Sequence, residues 1–424
     1  MPLFRIQGVR FALRALESPN YRLFFGGQSL SLIGTWMQQL AMGWLAYRLT
    51  NSAFLLGIIG FSSQVPTLLI GPLAGVYSDR WDRYRILIVT QSLAMLQALA
   101  LAALTFSGLV TFGWLVALAL FLGFVNAFDI PARQSFIIQI VEKKEDLGNA
   151  IALNSLMFNG ARLIGPSVAG IIISFTGEGA CFLLNGLSFA GILLALRAIR
   201  VLPREKQPET RVWQGLREGF SYAFGFAPIR YILLQLAAIS FMGMPYAVLM
   251  PVFARDILSG GPGTLGLLMA CSGTGALVGA AFLAARKSIL GLGKWIVYGS
   301  VLFGGAIIVF SLSTALWLSS LMMLFSGFGM IVQMASSNTI LQTIVEEDKR
   351  GRVMSFFAFA IIGTTPLGSF FAGLLGEKIG VVPTLAISGI TCIAGALLFA
   401  GRLPQIRLMI RPIYQRMGIG RAES

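Results

Sequence analysis

Arg162 and Asp129 both fall inside long apolar runs, where an ionised side chain is costly unless something compensates it. An arginine in that setting can hold an anionic or hydrogen-bonding group of a ligand, and a carboxylate can carry a proton. The same residues can also serve structure alone, as an Asp129–Arg162 pair between sequential helices or an Asp129–Arg133 pair at i,i+4. Uncharged polar residues accompany them. Gln28, Ser31, Thr35, Gln39 and Met42 recur at helical spacing on one face, and Gln64 stands near Pro66. Asn126, Asn154, Asn159, Gln333 and Asn338 sit in other apolar runs. A polar stripe gains nothing from facing lipid, so Gln28, Thr35, Gln39, Gln64, Asn126, Asn154, Arg162 and Gln333 are the candidate lining of a substrate cavity. For any one amide, an interhelical hydrogen bond is an equal reading.

Other chemistries find no residues here. The chain has no histidine, and Cys181, Cys271 and Cys392 are far apart within apolar runs, so neither a metal site nor a disulfide framework is expected. No paired intramembrane carboxylates and no G-x-x-x-x-G-K-[ST] loop occur, which argues against a membrane-embedded hydrolase and against ATP hydrolysis by this chain itself. The expectation is a non-enzyme without cofactor.

The elements that must position these residues follow from hydropathy. Of 424 residues, 56% are hydrophobic and the mean hydropathy is +0.80, well above a soluble protein. A spanning helix needs about 20 mostly apolar residues, because lipid offers an unpaired backbone group no partner. Twelve such runs predict helices over 22–46, 53–77, 86–107, 111–133, 149–175, 180–199, 230–254, 264–285, 294–313, 316–339, 353–376 and 380–401. The net charge of +15 forms no groove with interleaved aromatics, so nucleic acid is not the partner. Of the 32 Lys and Arg, all but Arg48, Arg162, Arg255 and Lys378 fall in the N-terminal arm, the even-to-odd connections or the C-terminal tail. This asymmetry places both termini in the cytoplasm and the chain in the plasma (inner) membrane as a multi-pass protein.

Residues 200–230 form the longest polar stretch and divide the spans six and six. The expected organisation is an arm over 1–20, a six-helix bundle over 21–200, a linker over 201–229, a second bundle over 230–402 and a basic tail over 403–424. An internal repeat supports the division. GFVNAFDIPARQSFIIQIVE from Gly123 aligns without gaps on GFGMIVQMASSNTILQTIVE from Gly327, an offset of 204. Gly71 and Gly75 recur at that offset as Gly275 and Gly279, while Gly160, Gly165 and Gly170 recur as Gly363, Gly368 and Gly373 at an offset of 203. Parallel six-span repeats related by an axis along the membrane normal describe one transporter architecture. In spans 2 and 8 the glycines are expected at close helix contacts.

Between spans 2 and 3 lies GVYSDRWDRYR, residues 75–85, with five charges from Asp79 to Arg85. Gly75, Asp79, Arg80, Arg83 and Arg85 resemble the loop signature of the major facilitator superfamily, with Asp82 where that family commonly has glycine. PNYRLFFGGQSLSLIGTWMQQLAMGWLAY, the D-R-x-D-R loop and NAFDIPARQ are similar to its enterobactin-exporter-like and macrolide-efflux-like branch. RLIGPSVAG, with Gly165, Pro166 and Gly170, is similar to the span 5 motif of antiporters. The resemblance covers essentially the whole chain. It implies an all-α membrane protein of twelve transmembrane helices in two pseudo-symmetric six-helix bundles, and a secondary active, alternating-access exporter of amphipathic small molecules such as a siderophore or drug. The partners it implies are the substrate, protons and membrane lipids, with the chain a monomer. The arginine that many drug/proton antiporters carry in span 4 has no counterpart here, so proton coupling is left open. A lipid or lysolipid flippase and an uptake permease for a small polar solute are the alternatives. Asp79 is expected to complement the N-terminus of span 11, starting near Gly351, as a cytoplasmic latch; the bland reading is a topology signal, which accounts for the arginines but for neither acid.

Overall fold

The computed structural model of the protein describes residues 13–200, 220–286 and 288–417. These are helical almost throughout, with no strand among the described residues. The twelve expected helices are present as α1 (Pro19–Thr50), α2 (Ala53–Arg80), α3 (Arg83–Phe106), α4 (Phe112–Ile140), α5 (Leu147–Thr176) and α6 (Glu178–Ala198), followed by α7 (Ala227–Ile257), α8 (Pro262–Ala284), α9 (Leu292–Leu312), α10 (Leu316–Ile344), α11 (Glu347–Ile379) and α12 (Val381–Arg416). Eleven are long and apolar enough to cross a membrane. The twelfth, α1, has 32 residues but is diluted by Arg22, Gln28, Gln38, Gln39 and Arg48.

Local chemistry sets the ends of these helices. Pro19 occupies the first turn of α1, where a missing N–H costs nothing, and Asn51 closes it in the left-handed region at φ 49°. Thr111 caps α4. Gly177 between α5 and α6, and Gly380 between α11 and α12, have φ of +80° and +90°, which a side chain rarely tolerates. Short π-helical turns interrupt α7 at Ile239–Gly243 and Phe253–Ile257, and α11 at Phe359–Gly363.

Several helices run past their expected ends: α4 reaches Ile140 and α10 reaches Ile344, and the polar ends of α11 and α12 are helical too. Span 11 begins at Glu347 with Glu346 as its cap, so Gly351 lies one turn inside the helix rather than at its start. Acidic residues favour a helix N-terminus, and outside the hydrocarbon layer nothing requires an apolar side chain. The tail expected over 403–424 is helical as far as Arg416, through Pro404 and Pro412. Linker residues 201–219 and the arm's 1–12 lie outside the described residues.

The chain packs as two compact units, Met1–Asn51 with Ser62–Pro208 and Gly261–Ala270, and Ser52–Phe61 with Glu209–Gly260 and Cys271–Ser424. Each unit therefore includes the opening turns of a helix, α8 or α2, whose remainder belongs to the other. The first unit is centred on Tyr21, Phe24, Phe136, Ile192 and Leu196. A buried amide relay joins its helices, with Asn185 donating to Gln38 at 2.9 Å and Gln38 donating to Gln97 at 2.9 Å. At the α1–α6 end, Arg48 makes two bonds of 2.8 and 3.0 Å to the Glu178 carboxylate, a bidentate pair that also sets the acid at a helix start. The second unit is centred on Ile232, Ile296, Leu341, Val353 and Phe399.

Close helix crossings follow the repeat. A Cβ on Gly123 of α4 would lie 2.8 Å from the Ser63 carbonyl oxygen of α2, and one on Gly327 of α10 would run into the Ser272 carbonyl oxygen of α8. Inside the second unit, Gly373 of α11 meets Gly57 of α2, where a Cβ would lie 2.7 Å from the Gly57 Cα. Inside the first, Gly170 of α5 meets Gly266 of α8, at 3.1 Å by the same measure. The paired glycines of spans 2 and 8 are not equivalent, however. Gly275 and Gly279 press on Leu324 and Ile331 of α10, whereas a Cβ on Gly75 would meet nothing within 4 Å and one on Gly71 only Thr67 of its own helix. The expected close contact thus forms in α8 alone: the carbonyls that α4 and α10 approach, Ser63 and Ser272, are 209 residues apart, so Gly275 stands where α2 has Pro66 rather than Gly71.

Gly275→Ala should therefore lower stability by about 1–3 kcal/mol through overpacking. Gly75→Ala should be neutral or slightly stabilising, since alanine is the better helix former. Thermal unfolding of the two purified variants in the same detergent compares them directly, and equal effects would contradict the asymmetry.

Candidate functional site

Arg162 lies on α5, which carries Asn154, Phe158 and Arg162 at four-residue intervals, so the three side chains share a face. α1 packs against this helix at Gly165, where a Cβ would lie 2.6 Å from the Trp36 Cβ and 2.8 Å from the Ile33 carbonyl oxygen. Only glycine permits that approach, and it brings the Trp36 indole under the cation. The Arg162 guanidinium carbon stands 5.8 Å from the centre of the Trp36 ring, and Trp36 meets Phe158 edge to face at 5.7 Å. Leu32, Met157 and Ala161 are buried beside them, while Arg162 and Trp36 are half-buried and Phe158 is exposed. A cation held over an aromatic face is stabilised by about 0.5–2 kcal/mol. The result is a guanidinium with an aromatic platform inside a membrane span, suited to an anionic or hydrogen-bonding group attached to an apolar or aromatic body. Trp36 carries no polar mark of its own in the sequence; its one signal is its place beside Thr35 in the polar stretch of α1.

Asp129 belongs elsewhere. It is 5% exposed, and its carboxylate accepts from Thr90 at 2.9 Å and Gln91 at 2.7 Å on α3 and pairs with Arg133 at 3.4 Å on its own helix. Of the two pairings the sequence allows, the i,i+4 one is formed, and no Asp129–Arg162 bridge exists. Asp129 thus pins α4 to α3, and Arg133 offsets its charge from one turn away.

The remaining candidates fall into separate environments. On α1, Gln39 is exposed, Thr35 is half-buried with its hydroxyl donated to the Ser31 carbonyl at 2.9 Å, and Gln28 is buried. The stripe does not present one continuous open face. α6 covers α1 at Gly27 and Gly34 and α5 covers it at Ile33 and Trp36, which leaves only part of it accessible. Gln64, Asn126 and Asn154 are half-buried, whereas Gln333 is buried. The Gln28 Oε1 and Gln333 Nε2 atoms are buried without a hydrogen-bond partner among the described residues.

Gly165 and Pro166 are buried, and Gly170 forms the crossing with Gly266 described above. In the loop after α2, Asp82 caps α3 by accepting from the Tyr84 N–H at 3.0 Å and lies 3.6 Å from Arg85. Capping accounts for the acid that stands where the signature has glycine. Arg83 is half-buried. The side chains of Asp79 and Arg80 lie outside the described residues.

A chain of twelve apolar helices, with an internal six-helix repeat and a guanidinium on an aromatic platform within one span, has the makings of a secondary transporter. A family model described as "Transmembrane secretion effector" matches residues 12–411, and the chain belongs to that family of major facilitator transporters. It is 26% identical over 394 residues to the Staphyloferrin A transporter of Staphylococcus aureus, covering 91% of this chain and 98% of that protein. It is 23% identical to Macrolide efflux protein A of Streptococcus pyogenes, covering 88% and 95%. Among solved structures it resembles the nucleoside transporter NupG, with a TM-score of 0.70, 14% identity and coverage of 91% and 99%. It also resembles a bacterial homologue of the iron transporter ferroportin, with a TM-score of 0.69, 15% identity and coverage of 90% and 98%. The major facilitator fold of two six-helix bundles is thereby shown.

The geometry makes a testable separation. Asp129→Asn and Arg133→Gln share a contact and should show a coupling energy of about 0.5–3 kcal/mol in a double-mutant cycle. Asp129→Asn with Arg162→Gln should add to within about 0.5 kcal/mol. Unfolding measurements on the three single and two double variants decide it, and strong coupling in the second cycle would be inconsistent with the separation.

Proposed function

We propose that this transporter exports amphipathic small molecules bearing an anionic or hydrogen-bonding group on an apolar body, of siderophore or drug type. Arg162 and Trp36 form the principal contact in this reading. The observation that carries it is the Arg162 guanidinium poised over the Trp36 ring within a spanning helix. The exporter names among its relatives, staphyloferrin A and macrolide, agree with such a substrate class. Gln39, Gln64, Asn126 and Asn154 supply further polar contacts. Gln28, with an unmatched buried polar atom, joins them when the helices around it move, and Gln333 has such an atom within the second unit. Asp129 is assigned to structure and Asp79 to gating, so protons enter the cycle by another route if they enter at all. The charge asymmetry supports cytoplasmic termini, and the six-span repeat supports domains over 21–200 and 230–402.

The test is uptake into inverted membrane vesicles, with a fluorescent macrolide and a ferric carboxylate chelator as probes. Arg162→Gln should lower transport of an accepted probe at least tenfold while the thermal unfolding midpoint stays within about 3 °C. Transport at the wild-type rate would remove Arg162 from the site. Lipid retained through purification and scrambled by the protein in vesicles would favour the flippase reading instead.

Asp79→Asn tests the latch, because it keeps the size of the side chain and removes only the charge that would favour a helix N-terminus. Transport should fall, and distances between spin labels across the cytoplasmic ends should shift towards the open population. An unchanged distance distribution would leave the 75–85 cluster as a topology signal alone.

A further inference from the structure

Within the second unit, a cavity of about 320 Å³ opens beside the last turns of α12. Its walls are apolar, with Ile232 of α7, Ile340 of α10, the 289–293 connection between α8 and α9, and Phe399, Leu403 and Ile410 of α12. That volume is at the lower end of ligand sites, about 300–1,000 Å³. Arg407 and Arg411 line its mouth. Both are exposed, they are neighbours at i,i+4, and neither has an ion pair or hydrogen bond among the described residues. Other basic residues nearby are already engaged: Arg286 donates to the Leu290 carbonyl and lies over Trp295, and Arg402 lies over Tyr231.

The position of this mouth follows from the length of α12. Its 36 residues span about 54 Å at 1.5 Å each, against about 30 Å of hydrocarbon, so its final turns stand at the headgroup level or beyond. The same turns are amphipathic. Leu403, Ile406 and Ile410 are buried towards the cavity, while Leu408 and Met409 are 69% and 47% exposed on another side, as in a helix held at a membrane interface. Two guanidiniums that repel each other thus stand at headgroup depth over an apolar chamber.

We propose that this cavity binds an anionic glycerophospholipid from the leaflet on the side of the chain's termini. The phosphodiester bridges Arg407 and Arg411, whose forked N–H groups suit phosphate oxygens, and the first part of an acyl chain enters the apolar chamber. The headgroup relieves the repulsion between the two arginines and fastens the end of α12 to the α8–α9 connection. This site is distinct from the Arg162–Trp36 platform, so the lipid is a bound structural partner rather than cargo.

The test uses the full chain in detergent, titrated with phosphatidylglycerol or phosphatidylcholine of identical acyl chains and read by native mass spectrometry. Phosphatidylglycerol should bind at least tenfold more tightly. One basic residue at a membrane surface is worth about fivefold in affinity, so Arg407→Gln with Arg411→Gln should weaken phosphatidylglycerol about thirtyfold and phosphatidylcholine, whose choline offsets the phosphate charge, far less. Both positions are exposed, so the fold is retained. Ile289→Trp, which fills the chamber from the connecting loop, should weaken both lipids. Equal binding of the two lipids, or an unaffected double variant, overturns the proposal. Displacement of phosphatidylglycerol by inorganic phosphate would make this a soluble-anion site and overturn it as well. Lipid binding that appears only after residues 418–424 are removed would make the tail the occupant, with the same result.

Discussion

Backbone meets backbone where α4 crosses α2, where α10 crosses α8, and at the Gly57–Gly373 and Gly170–Gly266 contacts. In lipid, apolar side chains gain little by leaving the solvent for one another, so helices associate through packing that small residues make possible. The arrangement inside each unit depends on this constraint. A methyl group at Gly327 would strike a carbonyl oxygen, and one at Gly165 would expel α1 from the face of α5 that carries Arg162. The functional platform and the scaffold therefore share a cause: Trp36 reaches the guanidinium because Gly165 has no side chain.

The crossings also give the repeat its physical meaning. Gly123 and Gly327 are 204 residues apart, and the Ser63 and Ser272 carbonyls they approach are 209 apart. Gly57 and Gly266 share that second offset, and Gly170 and Gly373 are separated by 203. α4 and α10 have the same length, 29 residues, at an offset of 204 at both ends. Sequence identity between the halves is slight elsewhere, yet the positions that cannot bear a side chain persist. Many apolar side chains can fill the space around a crossing, whereas only glycine can make the crossing itself.

That distinction explains what the sequence disclosed. The twelve spans were legible because every lipid-facing turn must be apolar. The helix ends beyond the hydrocarbon were not, since Glu347 and Arg416 belong to helices that continue into a polar setting where composition no longer signals them. The Gly-x-x-x-Gly of α2 and that of α8 look alike in sequence but stand at different heights in their helices, since the crossings relate the two helices by 209 residues and the motifs by 204. In the candidate site, sequence singled out Arg162 by the cost of its charge. It gave no reason to prefer Arg133 over Arg162 as the partner of Asp129, because the donors that fix the carboxylate, Thr90 and Gln91, are uncharged and lie on a neighbouring helix. The aromatic platform was hidden for a related reason: tryptophan in an apolar span has many uses, and only a cation above it narrows them.

The fates of the intramembrane polar groups bear on what the transporter can select. Gln38, Gln97 and Asn185 satisfy one another, and Asp129 is bound by three partners, so these groups have little left to offer a passing solute. In the proposed function, an amphipathic substrate meets chiefly an aromatic surface and one guanidinium. Such a site discriminates weakly among apolar bodies, since a methylene more or less changes binding by about 1–3 kcal/mol, but it responds strongly to whether the ligand presents a group the guanidinium can bond. A solute lacking that group would have to strip water from Arg162 without replacing it. Breadth towards the carbon skeleton and strictness towards the polar group are therefore expected together, as two consequences of the same contact.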